Sequence, residues 1–163
     1  TVTHKVINTN AEEMYFSIGA HPAFNCNLGD TLTFEYDETL YSERIDRDSV
    51  ITGDKDLILQ NSNKIELTEH LFDKDALIFS NVKSNYVILN EKKAGKHIRF
   101  TFGDSPFLAI WAKPAAPFVC IEPWYGVNDS YEKTTDFSKK RGIQKLSSDE
   151  KFEFSWSAEF KED

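Results

Sequence analysis

The sequence predicts an all-β chain folded as an antiparallel β-sandwich. Three observations point to it: apolar and polar residues alternate with a period of two, turn signals recur between short apolar runs, and almost no segment repeats every 3.6 residues. The clearest alternation is C-terminal, where Phe152, Phe154, Trp156, Ala158 and Phe160 alternate with Glu153, Ser155, Ser157 and Glu159. Such a segment is a strand with one wet face, and many short strands of this kind stack as a sandwich.

Strands are expected at 1–8 and 13–20, then at 31–36, where Leu32, Phe34 and Tyr36 oppose Thr31, Thr33 and Glu35. Others are expected at 75–80, 85–90, 97–102 (Ile98, Phe100 and Phe102 opposite His97, Arg99 and Thr101), 107–112 and 117–122. Turns separate them at Leu28-Gly29-Asp30, Thr52-Gly53-Asp54, Lys93-Ala94-Gly95-Lys96 and Gly103-Asp104-Ser105-Pro106. Modest helices are expected at 42–48 and 64–71. Residues 127–150 read as a long surface connection with a helical turn or two. Its Lys139-Lys140-Arg141 run reads as a solvated face.

Composition narrows the function. A net charge of −8 and scattered basic residues argue against a nucleic-acid surface, which needs clustered Lys and Arg. No apolar run reaches the roughly 20 residues that span a bilayer, and no signal peptide opens the chain, so no membrane partner is expected. The two cysteines, Cys26 and Cys120, lie in apolar contexts rather than in a disulfide framework, which points to a reducing, cytoplasmic setting. The four histidines have no HxH or HExxH spacing, so no metal site is expected.

Two titratable residues stand where a plain β-protein would place apolar ones: His21 in GAHPAFN (19–25) and Glu122 in FVCIEPWYG (118–126). By strand parity, Met14, Phe16, Ile18 and Ala20 share one face, and His21 leaves it with Tyr15, Ser17 and Gly19. Pro22 biases His21 toward an extended backbone and removes a ladder donor. Along 118–124, Phe118, Cys120, Glu122 and Trp124 share a face opposite Val119 and Ile121. Two readings stay open for each residue, a structural tie or a proton-transfer group: His21 bonding a carbonyl, Glu122 paired as a buried carboxylate, or the two acting as acid and base. Trp111 and Trp124 are either core or platforms for a sugar ring. Asp73 and Asp75, in LFDKDALIF, either end a turn or reach a ligand hydroxyl.

MYFSIGAHPAFN (14–25), LFDKDALIF (71–79), IWAKPAAPFVCIEPWYG (110–126) and DFSKKRGIQKL (136–146) together resemble, in this order, the aldose 1-epimerases or galactose mutarotase-like proteins, in their LacX-type branch. The resemblance implies a large antiparallel β-supersandwich, with residues 1–163 as the C-terminal portion of a single such domain. It further implies that the N-terminal part, where the family carries an arginine and a further histidine that contact substrate, lies outside residues 1–163. It also implies that Glu122 is the general base, His21 the general acid and Asp75, with Asp73 as the alternative, a ligand of sugar hydroxyls. Phe24, Asn25, Trp111 and Trp124 become candidate pocket walls. The implied partner is a monosaccharide or sugar phosphate, interconverted between anomers without a cofactor; the alternative is a carbohydrate-binding β-sandwich that does no chemistry.

Overall fold

The computed structural model describes residues 1–92, 95–114, 116–132 and 134–162. The expected turn at Lys93-Ala94-Gly95-Lys96 falls in part outside them. Among the described residues, eleven strands form one antiparallel sheet and two form a second. The large sheet runs from β1 (Val2–Ile7) through β13 (Lys151–Glu162), β9 (Lys96–Thr101) and β8 (Tyr86–Asn90) to β5 (Thr31–Ile45). It continues through β7 (Leu77–Ser80), β10 (Phe107–Trp111) and β11 (Phe118–Tyr125) to β3 (Ile18–Gly19). β4 (Ala23–Asn25) also pairs β11, and β6 (Ile51–Glu66) pairs β5. The sheet curls over one apolar core that includes Leu32, Phe34, Phe79, Val87, Phe100, Leu108, Val119 and Ile121. Full burial of each such side chain stabilises the fold by roughly 1.5–3 kcal/mol.

Two helical expectations are overturned. Residues 42–45 finish β5, and 46–50 form a turn in which Asp46 Oδ1 accepts the Asp48 and Val50 amides at 2.9 Å. Residues 64–66 finish β6, and the chain then continues as a series of single turns, with amides of Leu71, Asp73 and Asp75 bonded to carbonyls three residues back. The local periodicity there yields to long-range pairing between β5 and β6, which is the usual fate of a weak propensity. The expected break at Thr52-Gly53-Asp54 lies inside β6. Gly53, at φ 94, stands where the β5–β6 register shifts between Glu43 and Ile45, so this glycine marks a bulge rather than a strand end. A further shift between Thr33 and Glu38 turns Tyr36 outward, against its expected place beside Leu32 and Phe34.

The single strand expected at 13–20 is two. β2 (Met14–Phe16) pairs β12 (Gln144–Leu146) in the small sheet, and after Ser17 the chain crosses to the large sheet as β3. The 127–150 connection therefore holds a strand as well as its 3₁₀ turn, Phe137–Lys139. Its basic run is also more than a solvated face: Lys139 pairs with Asp136, Lys140 with Asp129, and Arg141 with the buried Glu43.

Glu38 is the buried anchor of the β5 bend. At 2% exposure it accepts the Lys83 amide at 3.0 Å and both the amide and hydroxyl of Ser84 at 2.8 Å, tying β5 to the turn before β8. Glu38→Ala leaves these donors unsatisfied, and a loss of about 3 kcal/mol in urea denaturation is expected; a change within about 0.5 kcal/mol, the scale of an ordinary surface substitution, would contradict this role.

Candidate active site

The site is built by one antiparallel register. Ile18 and Gly19 pair Tyr125 and Trp124, and Ala23, Phe24 and Asn25 pair Cys120, Val119 and Phe118. Between these segments the Ala20 amide donates to the Pro123 carbonyl at 3.0 Å, and the Ile121 amide to the Pro22 carbonyl at 3.2 Å. The register is thus continuous and sets His21 directly opposite Glu122. Theirs is the non-hydrogen-bonded kind of pair, in which backbones approach to about 4.5 Å and side chains lie closest. Proline has no N–H, so each flanking pair keeps only one of its two ladder bonds.

The side chains meet on the face away from the main core. Glu122 Oε2 lies 2.5 Å from His21 Nδ1 and accepts the Trp124 indole N–H at 3.1 Å. The carboxylate is 5% exposed and the imidazole 61%, so one partner is sealed and the other faces solvent. The other imidazole nitrogen, Nε2, lies 3.7 Å from Cys120 Sγ. Burial raises the Glu122 pKa above its ordinary value, and the bonds from His21 and Trp124 offset only part of that rise. The Cys120 thiol is pushed up to about 11, first by burial and then by the Glu122 charge.

Small residues leave space around the pair. Ala109 is the cross-strand neighbour of Glu122 on β10, and Gly19 that of Trp124 on β3. A Cβ on Gly19 would stand 2.7 Å from Trp124 Cδ1, so glycine lets the indole lie over the strand and reach Glu122. Trp111 pairs with Cys120, and its ring is 6.2 Å from that of His21. The two tryptophans therefore stand on either side of the pair, with about 13 Å between their positions along the strand.

Not every expected site residue joins this group. Asn25 shares the face but pairs with Phe118, two same-face positions from Glu122 along β11. Phe24 turns to the opposite face and packs on Phe100 in the core. Asp75 precedes β7 with a left-handed φ of 78 and accepts the Ala76 amide at 2.7 Å. It lines a different cavity, of about 400 Å³, together with Glu43, His70 and Asp73; Asp73 bonds His70 at 2.9 Å. Cys120, by contrast, belongs to the cluster although no role is legible for it in the sequence. Its one signal is parity, two residues before Glu122. His21, Cys120 and Glu122 place donor atoms within 4.8 Å of one another, a grouping that histidine spacing along the chain does not reveal because its members come from two strands.

Two outcomes are expected from this geometry. Gly19→Ala displaces the Trp124 indole, shifting its N–H proton resonance and costing about 1–3 kcal/mol; an unmoved resonance would rule out the packing role. The raised Glu122 pKa means that the native state holds this proton more tightly than the unfolded chain. Its stabilising contribution is full below the unfolded value and is lost as pH rises through the folded one. Glu122→Gln imitates the protonated form, so its Tm relative to the parent is expected to climb as pH rises from roughly 4 to 8. A flat or falling difference would contradict the direction of the shift.

The aldose 1-epimerase family model matches residues 1–151. The plasmid and chromosomal LacX proteins of Lactococcus lactis subsp. lactis are each 34% identical to the chain over 153 residues, covering 87% of it and 51% of their own length. A galactose mutarotase related enzyme from Lactobacillus acidophilus superposes with a TM-score of 0.88 at 27% identity, over 98% of this chain and 56% of that one. A galactose mutarotase-like protein from Lactobacillus casei gives 0.87 at 28%, over 98% and 58%. The chain spans about half the length of the curated relatives it matches, and its β-sandwich is of the galactose mutarotase-like kind. By the match of the family model over most of its length, the chain belongs to the aldose 1-epimerase family.

Proposed function

We propose that this chain carries the acid–base pair of an aldose 1-epimerase acting on a hexose or hexose phosphate. The observation that supports it most is the contact between buried Glu122 and exposed His21 at 2.5 Å. In an anomeric exchange the hydroxyl oxygen and the ring oxygen are both bonded to C1. The base that deprotonates one and the acid that protonates the other must therefore be neighbours. Glycoside hydrolysis works instead with two carboxyl groups about 5–9.5 Å apart, flanking the bond they cleave.

Glu122 takes the proton of the anomeric hydroxyl, and its raised pKa makes it a stronger base than an exposed glutamate. Both protein donors engage Oε2, which leaves Oε1 to face the substrate. His21 delivers a proton to the ring oxygen, the C1–O bond of the ring breaks, and an open-chain aldehyde results. Rotation about C1–C2 presents the other face of the carbonyl. Closure then returns the proton from Glu122 to the anomeric oxygen and the ring-oxygen proton to His21, so the pair is restored. Trp111 and Trp124 flank the ring.

Saturation-transfer NMR on glucose and galactose measures the exchange directly. The protein is expected to accelerate it above buffer, and Glu122→Gln to reduce that acceleration by about 10²- to 10⁴-fold. Exchange that survives the substitution would overturn the assignment of the base. Sugar binding with no exchange would favour a carbohydrate-binding role instead.

A further inference from the structure

We propose that His21 and Cys120, oriented by Glu122, capture a thiophilic divalent cation of the Zn²⁺ type, and that its binding silences the acid–base pair. The capture rests on the donor geometry alone; the silencing rests on the reading of His21 and Glu122 as acid and base. Three features argue for it. First, the separation of 3.7 Å between His21 Nε2 and Cys120 Sγ is close to the ~3.6 Å that nitrogen and sulfur keep across a tetrahedral zinc. Two donors thus stand at ligating distance before any ion arrives.

Second, the imidazole is braced as a metal-binding histidine usually is. Glu122 Oε2 lies 2.5 Å from Nδ1, and with the ring proton on that nitrogen the Nε2 lone pair would face the sulfur. A carboxylate on the far nitrogen is the usual support of a metal-binding histidine. Third, the imidazole side of the site is open: the ring is 61% exposed and lines a cavity of about 320 Å³ with Ser17, Gly19, Trp124 and Asn128. Cys120 is buried and does not line this cavity; its Sγ lies 3.7 Å from Nε2 of the exposed ring.

On binding, the thiol gives its proton to solvent, metal–sulfur and metal–nitrogen bonds form, and waters complete the coordination; no electron is transferred. A nitrogen–sulfur pair selects Zn²⁺, Cd²⁺ and Co²⁺ over Mg²⁺ and Ca²⁺, which prefer oxygen. With the metal on Nε2 and the carboxylate on Nδ1, neither imidazole nitrogen can pass a proton to a sugar.

Co²⁺ titration of the whole protein tests the site through the thiolate-to-cobalt charge-transfer absorption in the near ultraviolet. The band is expected to appear, to be chased by Zn²⁺ and not by Mg²⁺, to persist in Cys26→Ser and to vanish in Cys120→Ser. His21→Ala changes an exposed ring and leaves the core intact, and there affinity is expected to fall on the order of a hundredfold. Absence of the band, its survival in Cys120→Ser or its loss in Cys26→Ser would overturn the capture site. Zn²⁺ should stop anomer exchange at the concentrations that fill it. Exchange undiminished with the site filled would overturn the silencing alone, while a protein that shows the band but never exchanges anomers would count against the epimerase reading and leave capture standing.

Discussion

The site depends on one constraint, the antiparallel register between residues 18–25 and 118–125. A slip of one residue would send His21 and Glu122 to opposite faces of the sheet. The register is held from both ends, by pairing at Ile18 and Gly19 and again at Ala23 through Asn25. The middle is loosened by Pro22 and Pro123, which each remove one ladder bond beside the pair. The outcome is a fixed alignment with a short, weakly bonded step at its centre, where the imidazole emerges into solvent. Such a step would be a fault in an ordinary strand; here it lies where the proposed proton transfer needs access.

The two faces of this sheet do different work. Val119, Ile121 and Leu108 face the main core, while the other face carries a smaller cluster of Ile51, Ile78, Phe107, Ala109 and Val127. Beside that cluster Glu122 is buried with hydrogen bonds supplied by Trp124 and His21. Sealing a carboxylate in this way opposes its ionisation, and the fold tolerates the cost because both donors converge on one oxygen. The basicity useful for taking a proton and the instability of a buried charge are therefore one property seen from two sides.

Much of this was legible in the sequence, and the reasons for the exceptions are physical. Alternation located β1, β8, β9 and β13, which have a wetter and a drier face, while β7, β10 and β11 were found as apolar runs bounded by turns. The same parity put Cys120, Glu122 and Trp124 together. It failed at β5 and β6, since bulges reset the period and long-range pairing decides the conformation. Phe24 illustrates another limit: the family resemblance made it a candidate pocket wall, but an odd separation of three residues from His21 turns it to the other face. Arg141 shows a third, because nothing near Lys139-Lys140-Arg141 in sequence discloses that Glu43, nearly a hundred residues away, waits for its guanidinium.

Glu43 and Glu122 make an instructive contrast, for they stand on the same rung of the sheet. The register runs Glu43 to Ile78 to Ala109 to Glu122, which puts the two carboxylates on one face about 14 Å apart, three strand spacings. Both are almost fully buried, and each meets one basic group. The partners decide what each can do. Arg141 holds both oxygens of Glu43, and a guanidinium keeps its charge at any working pH, so that pair is permanent and can only brace the loop it comes from. An imidazole has two ring nitrogens, each able to donate or to accept, so a carboxylate bonded to one can exchange protons with a third group between them. Burial alone therefore does not make a carboxylate functional; at Glu122 the register supplies a partner that can let go.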